Sequence, residues 1–170
     1  MTTVDWRAEF EEQGKHDWEL YEKTELVYRS IRKRHLGFGW VFLTEVRTQT
    51  GGWNENYIDA LAFALWHSLK YERVAYEVKI SRSGWLKELK KPTKCKVAMD
   101  YSHRFWFALP IGIVEDRDLT LITDGCGVLE VHNDGEIKIR KRAERREASD
   151  MPITFIASLL RNAKGRDYWK

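Results

Sequence analysis

From Asp17 to His35, the residues Leu20, Tyr21, Thr24, Val27, Tyr28 and Ile31 recur at helical intervals, and Gly37 and Gly39 end the pattern. This is the signature of a helix that buries one stripe. The period then changes. WVFLTEVRT (40 to 48), YIDALAFALW (57 to 66) and ERVAYEVKI (72 to 80) are apolar runs separated by TGGWNEN and by a short polar turn. They predict a meander of three antiparallel strands, with Gly51-Gly52 in the first turn. A helix is expected from about Ser83, which can serve as its N-cap, and Pro92 breaks it before a second helical piece that ends near Tyr101. HRFWFALP (103 to 110) suits a buried strand. GVLEVHNDGEIKIR predicts a hairpin around Asn133-Asp134-Gly135, with Ile137 and Ile139 inward and Glu136, Lys138 and Arg140 outward. PITFIASLLRNAKG (152 to 165) predicts a terminal helix begun by Pro152. The order is α-β-β-β-α-β followed by a hairpin and a helix, an α/β chain.

One of these strands carries charge. Side chains alternate along YEVKI, so Val74, Tyr76, Val78 and Ile80 share one face while Glu77 and Lys79 share the other. In a strand buried on both faces such groups are paired or coordinate something, because desolvating either alone costs several kcal/mol. Glu-x-Lys by itself is a weak signal, and the chain holds three copies. Glu88-Leu89-Lys90 falls in a predicted helix, where residues two apart do not face each other, and is set aside. Glu136-Ile137-Lys138 lies in the hairpin, where solvation accounts for it. Only Glu77-Val78-Lys79 has an acid, Asp59, heading an otherwise apolar neighbouring strand. A turn-capping Asp59 remains the alternative. If the two strands pair, Asp59, Glu77 and Lys79 converge at one end of the sheet. Two adjacent carboxylates repel unless a cation lies between them, and hard oxygen donors favour Mg²⁺ or Mn²⁺. A lysine beside them can orient a water or neutralise a phosphate, and the following helix N-terminus favours an anion. These are the parts of metal-assisted phosphodiester hydrolysis.

Composition sets the frame. The chain has 170 residues, 43% of them hydrophobic and 13% aromatic, with eight tryptophans, which argues for one ordered domain over 1–170. The charged N-terminus does not read as a secretory signal, and the longest apolar stretch, Ala60 to Trp66, is too short to span a bilayer, so a soluble, cytoplasmic protein with no membrane partner is expected. Cys95 and Cys126 show no CxxC spacing and read as free thiols, and the five histidines show no HxH or HExxH spacing. Nucleotide-binding glycine motifs are absent. Net charge is only +3, but basic residues gather in RKRH (32 to 35), KELKKPTKCK (87 to 96) and KIRKRAERR (138 to 146), the second directly after the Glu-Val-Lys strand. Solvated faces and a polyanion-binding surface both fit these runs. The aromatics of RFWFALP read as core rather than as a base-stacking surface.

The helix with a flanking acid, the strand bearing Asp59, Glu77-Val78-Lys79 and the helix after it resemble the PD-(D/E)xK, or restriction-endonuclease-like, nuclease superfamily. YIDALAFALW, YEVKISRSGW and YSHRFWFALPIG resemble more narrowly the MmcB-like proteins associated with DNA repair. The resemblance covers roughly residues 17 to 132. It implies a restriction-endonuclease-like αβββαβ core, a mixed central sheet flanked by helices, with a C-terminal hairpin and a helical extension over about 150–168. It implies a Mg²⁺- or Mn²⁺-dependent endo- or exodeoxyribonuclease in DNA repair or processing. Asp59 and Glu77 would be metal ligands, Lys79 the catalytic lysine, and the Val78 carbonyl a further ligand. Glu25 corresponds to the acid that this superfamily often supplies from its first helix, with Glu22 and Glu45 as rivals. Ser81, Arg82, Ser83, Lys87, Lys90, Lys91 and Tyr101 are candidates for contacting DNA, whether single-stranded, duplex or branched. Turn capping and core packing explain Ser81, Arg82 and Tyr101 as well. Related sequences often carry an acid after Ser-Arg-Ser, where this chain has Gly84. Homodimerisation stays open. The alternative from another class is a non-catalytic nucleic-acid-binding or assembly module with the same fold, and a third is a structural α/β protein in which Glu77 merely pairs with Lys79 or Arg82.

Overall fold

The computed structural model describes residues 6–48 and 57–167, so the Gly51-Gly52 turn lies outside the described residues. Helix α1 spans Trp6–Lys33 and starts well before the predicted Asp17. The apolar stripe marks only the part that packs. Val27 and Ile31 are fully buried, whereas Leu20 and Tyr21, expected in the stripe, are exposed. Upstream residues such as Ala8, Glu11, Glu12 and Gln13 favour helix by propensity. Gly37 and Gly39 follow the helix with φ of 140° and 112°, conformations that side chains oppose. A Cβ on Gly39 would also lie 2.9 Å from Nε1 of Trp66, so the chain can turn here only as glycine.

The strands then form one mixed, six-stranded sheet in sequence order. β1 (Trp40–Arg47), β2 (Tyr57–Ala64) and β3 (Arg73–Val78) are the expected antiparallel meander, with Trp40 opposite Ala64 and Ala60 opposite Tyr76. After β3 the chain leaves the sheet through α2 (Arg82–Leu89), a 3-10 turn at Pro92–Cys95 and α3 (Lys96–Asp100). It returns as β4 (Arg104–Pro110), parallel to β3, with Val74 opposite Arg104. β5 (Gly127–Val131) is parallel to β4, and β6 (Ile137–Lys141) closes the far edge antiparallel to β5. β4 is flanked by strands on both sides, and its Phe105, Trp106 and Phe107 are core residues, as the apolar run predicts. Helix α4 (Ile153–Asp167) packs across β1, where the Asn162 amide donates to the Thr44 carbonyl at 3.0 Å.

The sheet is thus the middle of three layers. Val27 and Ile31 of α1 cover Ala60, Ala62, Val74, Tyr76 and Trp106 on one face. Trp85, Cys95, Ala98 and Phe155, from the other helices and the 3-10 turn, cover Leu61, Ala75, Phe105 and Phe107 on the opposite face. Both faces are buried, which is why β3 and β4 read as nearly continuous apolar runs. The β5–β6 hairpin corrects the alternation expected for it. The register shifts between Val128 and Leu129, leaving Arg140 without a partner in the ladder. Ile139 is 41% exposed, while Arg140 turns in to pair with Glu130 and Asp116. Among the described residues no helix is long and apolar enough to cross a membrane.

Candidate active site at the fork of two strands

β2 and β3 part company at one end, and the candidate residues meet in that fork. Their last paired residues are Ala60 and Tyr76. Beyond that pair, Oδ2 of Asp59 accepts the Val78 amide at 2.8 Å, taking the place of a ladder carbonyl. On the other side the Lys79 amide donates to the Ala108 carbonyl at 3.1 Å, so β3 keeps its pairing with β4 while it separates from β2. Asp59 is therefore bound into the backbone of the Glu-Val-Lys segment. The pleat sends Glu77 with Ala75 toward α2, and Tyr76 with Val78 toward α1.

Glu77 is 6% exposed. Burial raises its pKa most, the charge of Asp59 raises it further, and Lys79 opposes both. The Lys79 ammonium donates to Oε1 of Glu77 and lies 3.3 Å from Oε2 of Glu88 and 3.4 Å from the Val78 carbonyl. Burial pulls the Lys79 pKa down, but the charges of Glu77, Asp59 and Glu88 outweigh it, so the amine is held charged. Three carboxylates act on one ammonium. Oxygen donors of this kind suit a divalent cation.

Glu88 is the correction here. Helical spacing separates it from Lys90, yet the carboxylate itself is 5% exposed and reaches Lys79 from α2. Its other oxygen accepts from the Cys95 thiol at 3.1 Å. Burial, then the charge of Glu77, pushes that thiol far above its ordinary range. The ligand atoms of Glu77, Glu88 and Cys95 lie within 4.8 Å of one another, a compact donor set. In the folded chain this set is already filled by an ammonium and a protonated thiol, and a metal would have to displace both charge and proton.

A second ring of groups belongs to α1 and β1. The Tyr28 phenol is pushed above its usual range by burial first and then by Asp59, Glu45, Glu77 and Glu25, which places it amid all four acids. Tyr28, Glu25, Thr44 and Glu45 line a cavity of about 770 Å³. Glu45 has φ of 52°, unusual for a side-chain-bearing residue in a strand and common where function constrains the backbone. Glu25 and Glu45 thus share one rim, and Glu22 is exposed elsewhere on the helix.

No family model matches the chain, and no curated protein matches it. A solved structure similar to it is the SPO1766 protein of unknown function from Silicibacter pomeroyi, with a TM-score of 0.55 and 16% identity over 86% of this chain and 84% of that chain. At that identity the likeness is one of fold.

The remaining candidates are placed as follows. Ser81, not Ser83, is the N-cap of α2: its backbone is extended and its hydroxyl accepts the Gly84 amide at 3.1 Å. Ser83 lies beside it, hydroxyl to hydroxyl at 3.3 Å. A Cβ on Gly84 would sit 3.8 Å from Cδ of Lys79, so its lack of a side chain leaves space beside the lysine. Arg82 turns away from the fork to Asp118, Glu115 and the Ile113 carbonyl. Lys87, Lys90 and Lys91 are exposed and line, with Glu88, a cavity of about 300 Å³. Tyr101 packs edge-on against Phe155 at 5.1 Å between the helices. Two participants were missed by sequence: Tyr28 has no motif to announce it, and Glu88 lies in a Glu-x-Lys copy set aside on its helical spacing. The available signal for Glu88 is its place three residues after Trp85, a carboxylate on the buried face of α2.

Proposed function

We propose that this protein is a metal-dependent nuclease of the restriction-endonuclease-like, PD-(D/E)xK kind, nearest to the MmcB-like proteins, hydrolysing DNA phosphodiester bonds in repair or processing. The observation that carries the reading is the meeting of Asp59, Glu77, the Val78 carbonyl and Lys79 in one fork. Asp59, Glu77 and the Val78 carbonyl would hold Mg²⁺ or Mn²⁺, with Glu25 or Glu45 completing the rim. When bound, the cation supplies charge neutralisation at the phosphate and acidifies a water. Asp59 does double duty, because it also accepts the Val78 amide and so fixes the Glu77–Val78 peptide beside the site. Lys79, steered by Glu77 and Glu88, presents a permanent ammonium to a water or to the charge growing on the phosphate. Ser81, Ser83 and the exposed Lys87, Lys90 and Lys91 extend this surface toward the DNA backbone.

The test is incubation with single-stranded, duplex and branched DNA, with Mg²⁺, with Mn²⁺ and with chelator. Cleavage is expected only with metal, and Asp59→Ala and Lys79→Ala should each lower the rate at least about a hundredfold. Salt-sensitive binding without cleavage would instead favour a non-catalytic nucleic-acid-binding module. Equal cleavage by both variants would sink the assignment.

A further inference from the structure

We infer that the groove between α1 and β1 binds an unpaired stretch of the substrate strand, so that the site acts on single-stranded or frayed DNA rather than on intact duplex. This rests on the nuclease reading and names its substrate class. The groove is the cavity of about 770 Å³, and its wall includes Tyr28 of α1 and Thr44 and Glu45 of β1, the strand paired with the one that carries Asp59. Tyr21 lines the groove and is 56% exposed. Trp18, 60% exposed, stacks on it with ring centroids 5.6 Å apart and planes 29° apart. Two large rings lie stacked in solvent on the segment of α1 that does not pack on the sheet, and the fold has no use for them there.

Position along the helix supplies the second argument. Tyr21, Glu25, Tyr28 and Arg32 follow one another at helical spacing on one face, and with a rise of about 1.5 Å per residue they span roughly 16 Å. The aromatic pair sits at one end beside Asp17, Glu25 follows in the middle, and Arg29 and Arg32 lie at the other end, with Glu45 lining the groove from β1. Arg32 is held across the face of Phe42, its guanidinium 5.4 Å from the ring centre. That arrangement offers rings for a base and cations for phosphates along one helix face. Stacking on an exposed ring requires a base whose own face is free, which paired bases inside a duplex do not present. Ring stacking therefore selects an unpaired strand, and Arg29 and Arg32 offer cations to its phosphates.

The experiment is fluorescence anisotropy of the full chain in chelator, where no cleavage occurs, with labelled oligothymidine and a blunt duplex of the same length as probes. Oligothymidine should bind at least about tenfold more tightly than the duplex, and Trp18→Ala and Tyr21→Ala should each weaken oligothymidine binding by about tenfold while leaving duplex binding unchanged. Trp18→Phe, which keeps a ring, should retain most of the affinity. Because both rings are exposed, circular dichroism of the variants should match that of the unaltered protein. Duplex binding as tight as oligothymidine binding, alanine variants that bind as the unaltered protein does, or no binding of either probe would each overturn the inference. Ring-dependent binding with no metal-dependent cleavage would leave the groove standing and remove the nuclease reading. Cleavage with a preference for blunt duplex would do the reverse.

Discussion

A carboxylate at position 88 would be a solvated helix residue on its spacing alone, and its burial makes sense only through what it touches. Oε2 faces the Lys79 ammonium and Oε1 takes the Cys95 thiol hydrogen, so both of its oxygens are satisfied. Removing one partner of a buried ion pair leaves the other desolvated. Glu88→Ala should therefore lower unfolding stability by about 3 kcal/mol, read as a fall in the urea midpoint. A loss under about 1 kcal/mol would show that water reaches Lys79 and that the pair is not a buried one. Glu77-Val78-Lys79 was legible at this scale because its neighbours are apolar and Asp59 precedes them. Glu88 was not, since its relation to Lys79 exists only after α2 folds back over β3.

At the scale of elements, the parallel pairing of β4 and β5 depends on Gly127. A Cβ at that position would lie 2.6 Å from the Ala143 amide nitrogen, against the Trp106 ring as well. Gly127→Ala should cost about 2 kcal/mol by overpacking, with a fall in Tm of roughly 6 °C in a thermal melt. An unchanged Tm would mean that Trp106 moves freely, contrary to its burial between α1 and the sheet. The strand runs were legible as elements, and so was the hairpin turn, where Gly135 has φ of 86°. The start of α1 was not, because the apolar period that marks the helix begins only near Leu20 while its first turns are rich in helix-favouring polar residues. The inward turn of Arg140 was hidden too, since a bulge reverses the alternation beyond it and leaves no mark in the period-two pattern of IKIRK.

For the whole molecule, Asp118 ties the segment after β4 to the helix that carries the site. It accepts from Arg82, from the Trp85 indole at 3.0 Å and from the Glu115 amide at 2.9 Å. The hydrogen bonds from Arg82, more than any other influence, hold its pKa at about 2 against an ordinary 3.8. A carboxylate whose folded pKa is depressed contributes stability above its unfolded pKa and loses it as pH falls toward the folded one. Stability should therefore drop by about 2 kcal/mol between about pH 4 and pH 2 through this group. Urea denaturation across that range should show the unaltered protein and Asp118→Asn converging as pH falls. Parallel curves would refute the link.

The chain's own order determined which segments are helix and which are strand, because periodicity and glycine punctuation act locally and survive any packing. It also led to Glu77 and Lys79 sharing a side, which the Lys79 amide's pairing with the Ala108 carbonyl preserves just beyond the end of β3. Tertiary structure alone decided that Asp59 spans the fork to the Val78 amide, that Arg82 turns to Asp118, and that Glu88 and Tyr28 join the acids. Each of those contacts joins residues from different elements. Their cost or benefit is set by burial and by neighbouring charge, and neither exists until the layers close.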